Sequence, residues 1–136
     1  MSGETNLDIL LRSMQPILHD REYVFCSIRD QNYRNFNVDP VCLFKEDEGL
    51  TLILDRQQAD AAGLPYISVF CMITLSVHSS LEAVGFLATI TNKLAAHGIS
   101  TNLVSAYYHD HLFVPALRAQ EVMALLQELA RCANRW

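Results

Sequence analysis

The sequence predicts an α+β fold, an antiparallel sheet with helices packed on one face. Three observations predict it. Short β-branched and aromatic runs, residues 23–28 and 50–54 among them, read as strands. Two longer stretches repeat apolar residues at helical spacing, one through Ala83, Leu87, Ile90 and Leu94, the other through Val122, Leu125, Leu126 and Leu129. Between residues 77 and 115 a strand, a capped helix, a glycine stop and two short strands follow one another with almost no linker, an order that returns each strand beside the last.

At 136 residues with 51% apolar side chains, the chain holds one compact body or two small halves sharing a sheet. The net charge is −5 and the ten Lys and Arg residues are dispersed, a pattern that argues against a phosphate-backbone ligand. The longest apolar run, near residues 66–77, is broken by Ser68, Thr74 and Ser76 and is too short for a membrane span. Residues 1–8 have no basic stretch leading into an apolar one, so no secretory leader is expected. Cys26, Cys42, Cys71 and Cys132 stand far apart in apolar runs without a C-x-x-C pair, which predicts buried reduced thiols and a cytoplasmic location.

Taken in order, residues 6–13 read as a short helix capped near Thr5 or Asn6. Residues 14–19 read as a brief edge strand bent by Pro16, and residues 23–28 as a second strand. The polar, asparagine-rich stretch 29–39 reads as a loop. Residues 41–44 and 50–54 pair as a hairpin through an acidic turn closed by Gly49. Asp55 caps a helix over 56–62 that Gly63 and Pro65 stop. Residues 67–77 form the next strand. Ser79 and Glu82 match a capping box, so a helix starts there and ends at Gly98. Strands over 99–107 and 111–114 follow, and a helix over 118–132 closes the chain.

The second half therefore reads β-α-β-β-α and the first β-loop-β-β-α. Each matches the split βαβ unit, which makes the whole a ferredoxin-like (βαββαβ) sandwich of two pseudo-repeats. The repeats are residues 1–65, with the first helix replaced by a loop, and residues 66–136. The second repeat lacks a last strand of its own, and the segment around Ile17 and Leu18 is expected to fill that slot.

The loop from Ser79 to Gly85 carries the chemistry of most interest. A helix start presents unpaired N–H groups and the positive end of a dipole, which suits a carboxylate. Gly85 inside such a helix would cost about 1 kcal/mol of propensity relative to alanine. Two roles fit it, close approach by a ligand or tight helix–sheet packing. Two roles also fit Asn102: its amide can serve both ends of a zwitterion, or cap the turn after Gly98 and Ile99. His109 and His111 share one strand face while Asp110 points away, which makes a poor metal site with no third ligand, and no metal or cofactor is expected. Tyr107, Tyr108 and Phe113 lack the basic-glycine-aromatic pattern of a base-stacking sheet. No nucleophile, base and orienting group can be read together, and no phosphate loop or nucleophile elbow occurs, so catalysis is not predicted.

These residues resemble the ACT domain, and in particular the tandem, stand-alone ACT-like proteins, a group that includes the cytosolic arginine-sensing ACT proteins of animals. The match lies in Leu81-Glu-Ala-Val-Gly-Phe-Leu87, in Gly98-Ile-Ser-Thr-Asn102, in Ser105-Ala-Tyr-Tyr-His-Asp-His111 with Val114-Pro115, and in the acidic hairpin Glu46-Asp-Glu-Gly-Leu50. The chain departs from the commoner ACT pattern of Asp followed by Pro-Gly at the loop, having Ser79-Ser80 earlier and Gly85 later. What the resemblance implies is regulation. ACT units bind amino acids, often where two units meet, with backbone contacts from the strand-to-helix loop and a side chain from the start of the second strand.

The resulting expectation is a non-catalytic amino-acid sensor, cytoplasmic, paired as a homodimer, with an unidentified regulated protein as partner and no nucleic acid or membrane. Its ligand contacts are Ser79, Ser80, Leu81, Glu82, Val84, Gly85, Phe86, Asn102 and Asp110. Backbone N–H groups of residues 80–85 would hold the carboxylate, with Asn102 and Asp110 on the amino group. The alternatives are a ligand-free interaction module of the same shape and a small ferredoxin-like enzyme.

Overall fold

The structure is a computed structural model that describes residues 3–29, 32–80 and 83–133. Asn6 begins the first helix as the sequence predicts, its side chain accepting from the Ile9 amide at 3.1 Å. Helix α1 runs Leu7–Ser13 and ends before Pro16, which heads strand β1, Pro16–Ile28. The two strands expected over 14–19 and 23–28 are thus one strand, because Pro16 occupies its first position, where a missing N–H removes no ladder bond. Strands β2 (Cys42–Glu46) and β3 (Gly49–Asp55), helix α2 (Arg56–Ala62) and strand β4 (Phe70–Leu75) follow. Helix α3 (Phe86–Ala96), strands β5 (Asn102–Ser105) and β6 (Asp110–Pro115), and helix α4 (Ala119–Ala133) complete the order. This is the α+β, ferredoxin-like arrangement the sequence predicts, in two pseudo-repeats.

Two compact units divide the chain. The first comprises residues 21–70. Its strands lie in the order β2-β3-β1, with Val24 opposite Leu54, Cys26 opposite Leu52 and Leu43 opposite Leu52 on the other side. Period-two alternation along β1 and β3 puts Val24, Cys26, Ile28, Leu50, Leu52 and Leu54 on one face, where Ala59 of α2 and Leu64 close over them. The polar stretch after β1 forms only a single 3-10 turn, Tyr33–Phe36, whose two aromatic rings pack on this core. A loop does here what a helix does in the other unit.

The second unit comprises residues 1–20 with 71–136. Its strands lie in the order β1-β4-β6-β5, with Asn102 opposite Phe113 and Ser105 opposite Asp110 in the hairpin. The core joins Leu10, Leu11 and Met14 of the N-terminal segment, Ile73 and Leu75 of β4, and Leu112 and Val114 of β6. Phe86, Ile90 and Leu94 of α3 and Val122, Leu125 and Leu126 of α4 complete it. Each fully buried Leu or Ile contributes about 1.5–3 kcal/mol relative to an exposed one. These units cut the chain differently from the sequence repeats 1–65 and 66–136. The first twenty residues join the later ones because α1 and Leu18 complete that core, with Leu18 in the slot the sequence reserves for a last strand.

Other expectations shift at the element ends. Strands β4 and β5 are shorter than 67–77 and 99–107, and Ile99 is buried in the core ahead of β5 rather than within it. The capping box is not formed: α3 begins at Phe86, and Ser79 spends its hydroxyl elsewhere. Its other half, Glu82, lies outside the described residues. All four cysteines are free thiols, but only Cys26 is buried, and Cys132 is exposed in the last turn of α4. Among the described residues no helix is long and apolar enough to cross a membrane.

Candidate ligand-binding site

The segment that leaves β4 does not coil at once. The Ser76 amide donates to the Gln15 carbonyl at 3.0 Å, and residues 78–80 run alongside the N-terminal arm. There the Glu4 amide donates to the His78 carbonyl at 2.9 Å and the Ser80 amide to the Glu4 carbonyl at 2.9 Å. Gly3 permits this approach, since a Cβ on it would stand 2.6 Å from the Ser79 carbonyl carbon. The Ala83 amide donates to the Ser80 carbonyl at 3.0 Å. The amides of Ser80 and Ala83, expected to face a ligand, are therefore engaged within the protein.

Gly85 then turns the chain into α3 with φ 89°, a left-handed conformation that side-chain-bearing residues rarely adopt. Among the described residues a Cβ there would meet the Leu7 side chain, at an ordinary 3.7 Å, so the dihedral calls for glycine. The first intrahelical bond runs from the Thr89 amide to the Gly85 carbonyl at 2.9 Å, and the Thr89 hydroxyl donates to the same oxygen at 2.8 Å. The amides of Phe86, Leu87 and Ala88 precede it and have no partner within the helix. Gly85 offers no side-chain cap. The opposite end of α3 is closed: Arg118 donates to the carbonyls of His97 and Gly98, each at 3.0 Å, while also pairing with Glu121. One pole of the helix has an arginine partner, and among the described residues no cap side chain closes the other.

A buried carboxylate shares a recess with that second pole. Asp110, at the start of β6, is only 6% exposed, and its Oδ2 accepts the Ser79 hydroxyl at 2.8 Å. The β5–β6 register puts Ser105 directly opposite Asp110. Ser79, Ser80, Ser105 and Asp110 line one side of a recess of about 120 Å³. Ala83 and residues 85–88 line the other. A negative side chain, three hydroxyls and a positive helix end thus meet in one small space.

Of the residues expected at the site, Ser79, Ser80, Gly85, Phe86 and Asp110 meet at this recess. Phe86 contributes backbone, because its ring is buried in the core. Val84 points away and is 84% exposed. Asn102 begins the far end of β5, three residues from Ser105, about 10 Å along the strand. Leu81 and Glu82 lie outside the described residues. Ala83, Leu87, Ala88 and Ser105 also line the recess and are not among the expected contacts. The hairpin register would have found Ser105 once Asp110 was singled out, and the later helix start would have found Ala88.

Two further clusters lie on the same unit. His78, Tyr107 and Tyr108 stack near one another, with centroids 5.5 Å apart for His78 and Tyr108 and 5.0 Å for the tyrosine pair. Thr74 on β4 joins two imidazoles, its hydroxyl 2.7 Å from His19 Nε2 and 2.9 Å from His111 Nδ1. Burial holds the His111 pKa below its ordinary value, with repulsion from His109 and His19 adding and Asp110 opposing. Among the described residues no three His, Cys, Asp or Glu side chains are grouped to hold a metal.

An ACT domain profile matches residues 2–71, and a second ACT domain profile matches residues 68–128. A Vibrio cholerae protein of unknown function, described as a possible transport protein, is 45% identical with a TM-score of 0.83. The match covers 91% of this chain and 95% of that one. An Agobacterium tumefaciens protein is similar in fold at 14% identity and a TM-score of 0.71, over 86% of this chain and 89% of its own. The ligand-free regulatory subunit of aspartate kinase from Thermus thermophilus shares the fold at 8% identity, with a TM-score of 0.65, over 84% and 95% of the two chains. No curated protein matches the sequence.

Proposed function

The chain belongs to the ACT domain family, and we propose on that footing that it is a non-catalytic regulatory protein that binds a free amino acid. The observation that carries the reading is the recess between Asp110 and the uncapped start of α3. A zwitterion has two charges of opposite sign a few ångströms apart, and this recess offers one complement to each. The amides of Phe86, Leu87 and Ala88 hold the carboxylate, in place of the engaged amides of Ser80 and Ala83. Asp110 holds the ammonium group, helped by the hydroxyls of Ser80 and Ser105. The family's regulatory character and the likeness of fold to an aspartate kinase regulatory subunit support this role.

In the same reading the protein has two repeats, residues 1–65 and 66–136, acts in the cytoplasm and pairs as a homodimer. Strand β5 lies at a sheet edge with open backbone groups, a feature that favours pairing. The ligand's binding changes that pairing or the fit of a regulated partner. Isothermal titration of the folded protein against the twenty amino acids tests the proposal. Saturable heat from at least one supports it. Heat from none removes it and favours a ligand-free interaction module using the β5 edge.

A further inference from the structure

We infer that His19, Thr74 and His111 form a proton-operated latch across strands β1, β4 and β6, closed while the two imidazoles share at most one extra proton and opened by a second. The latch needs no ligand. Leu18, Ile73, Leu75, Leu112 and Val114 pack into the core under the helices. Period-two alternation therefore puts His19, Thr74 and His111 together on the opposite face of the sheet. Their strands are neighbours in the order β1-β4-β6. The Thr74 hydroxyl lies 2.7 Å from His19 Nε2 and 2.9 Å from His111 Nδ1, so one oxygen on the middle strand joins rings from the strands on either side. What the latch holds is the segment 16–20 of β1, whose Leu18 completes the core of this unit.

Counting hydrogens gives the latch its two states. The hydroxyl has one hydrogen to give. With both rings neutral it donates to one and accepts from the other, which requires the rings to share a tautomer. Both carry Nδ1–H if His19 receives the hydroxyl hydrogen, and both carry Nε2–H if His111 does. A first proton enters at the outward nitrogen of the donating ring and breaks no bond. A second must enter at the nitrogen that accepts from Thr74, leaving two cationic N–H groups aimed at one oxygen. The surroundings favour refusal of that second proton. Burial, then the charges of His109 and His19, hold the His111 pKa below its ordinary value, with Asp110 opposing. Asp110 lies on the other strand face, bonded to Ser79. Strand β5 sets Val104 opposite His111 and carries no ionisable side chain, and Cys71 of β4 packs on the core. Further along β1, Arg21 is paired with Asp55, while Asp20 and Glu22 alternate to the other face. A proton refused by the closed latch is taken up once the strands part, so acid favours opening.

Two measurements on the full chain test this. Proton–nitrogen NMR of the histidine rings at about pH 8 reads their tautomers. The same tautomer on His19 and His111 is expected; opposite tautomers would set Thr74 between two donors or two acceptors and overturn the latch. Amide hydrogen exchange, corrected for its intrinsic pH dependence, reads opening. Protection over residues 16–20, 70–75 and 110–115 should fall about tenfold between about pH 8 and about pH 5, and over 50–54 less than about threefold. His19→Gln sets an uncharged amide in place of Nε2, so it should keep the neutral protection and lose most of the acid response. Thr74→Val should show the acid level of protection already at about pH 8, whereas Thr74→Ser keeps the hydroxyl and should match the wild type. Circular dichroism checks the folding of each variant, and the tautomers of the wild type decide the matter should a variant not fold. A full acid response in His19→Gln, or wild-type protection in Thr74→Val, overturns the latch. So does an acid loss spread equally over 50–54, which would be unfolding of the whole chain.

Discussion

The Ser79 hydroxyl donates to Asp110 across 2.8 Å, with both side chains buried. This bond ties the segment leaving β4 to the start of β6 and sets the carboxylate at the side of the recess. A buried carboxylate is tolerable only with donors around it, and the Ser79 hydroxyl supplies a neutral one. The arrangement fits a group that gains a cationic partner on ligand binding. Asp110→Asn keeps an oxygen for Ser79 and removes the charge. Loss of a hydrogen bond to a charged group is worth about 1.5–3 kcal/mol, so amino-acid affinity should fall about ten- to a hundredfold with little change in thermal midpoint. Calorimetry on the folded variant reads the first quantity, and unchanged affinity would remove Asp110 from the site.

Gly85 gives a separate prediction about the backbone. Its φ of 89° is left-handed, and among the described residues a Cβ would approach a Leu7 methyl at 3.7 Å. Gly85→Ala should therefore destabilise by about 1–2 kcal/mol through conformational strain alone. Gly85→Asn should cost less, because asparagine tolerates this region better than alanine. Denaturant melts of the two variants decide it. Equal losses would mean that space, not the dihedral, requires glycine.

The same residue shows where the sequence was legible and where it was not. Caps with a local signature were readable: Asn6, Asp55 and Gly63 mark the ends of α1 and α2 as expected, since each acts within a few residues of itself. The α3 start was misread because Ser79 and Glu82 have the spacing of a capping box, while the competing partner of Ser79, Asp110, lies 31 residues away. A long-range bond to a buried carboxylate outweighs a local cap, and no periodicity encodes it. The resemblance implies a ligand role for Asn102, and the hairpin register places Ser105 opposite Asp110 and Asn102 opposite Phe113. The division into compact units was hidden for the same reason, because α1 joins a core formed mostly by residues after 71.

Asp55 does two jobs at the end of β3. Its Oδ1 accepts from the Gln57 amide at 2.7 Å as the cap of α2, and its Oδ2 accepts from Arg21 at 2.7 Å. The Arg21 bond, with the α2 amides adding, holds the Asp55 carboxyl below its ordinary value against the effect of burial. A depressed carboxyl pKa contributes stability that is present above the unfolded value of 3.8 and lost as pH falls through the folded one. Asp55→Ala should cost about 1–2 kcal/mol near neutral pH. Asp55→Asn, which can still cap, should lose less and should flatten the acid limb of the stability profile. An acid limb identical to that of the wild type would refute this assignment.

His111 predicts a second pH response at a milder acidity. Its imidazole is half-buried on β6, bonded through the Thr74 hydroxyl to His19 on β1. A hydroxyl gives one hydrogen bond and takes another, so the chain is satisfied with both rings neutral. Desolvation, then the neighbouring His109 and His19, push the His111 pKa below 6.5, and Asp110 only partly opposes them. As pH falls below 6.5 the unfolded chain takes up a proton that the folded protein refuses, so stability declines until the folded value is reached. The thermal midpoint should therefore drop between about pH 7 and about pH 5 in the wild type, and His111→Asn should remove part of that slope. His111→Asn keeps a polar group in reach of Thr74, which separates the lost titration from a lost hydrogen bond. A variant with the full wild-type slope would assign the response to another histidine.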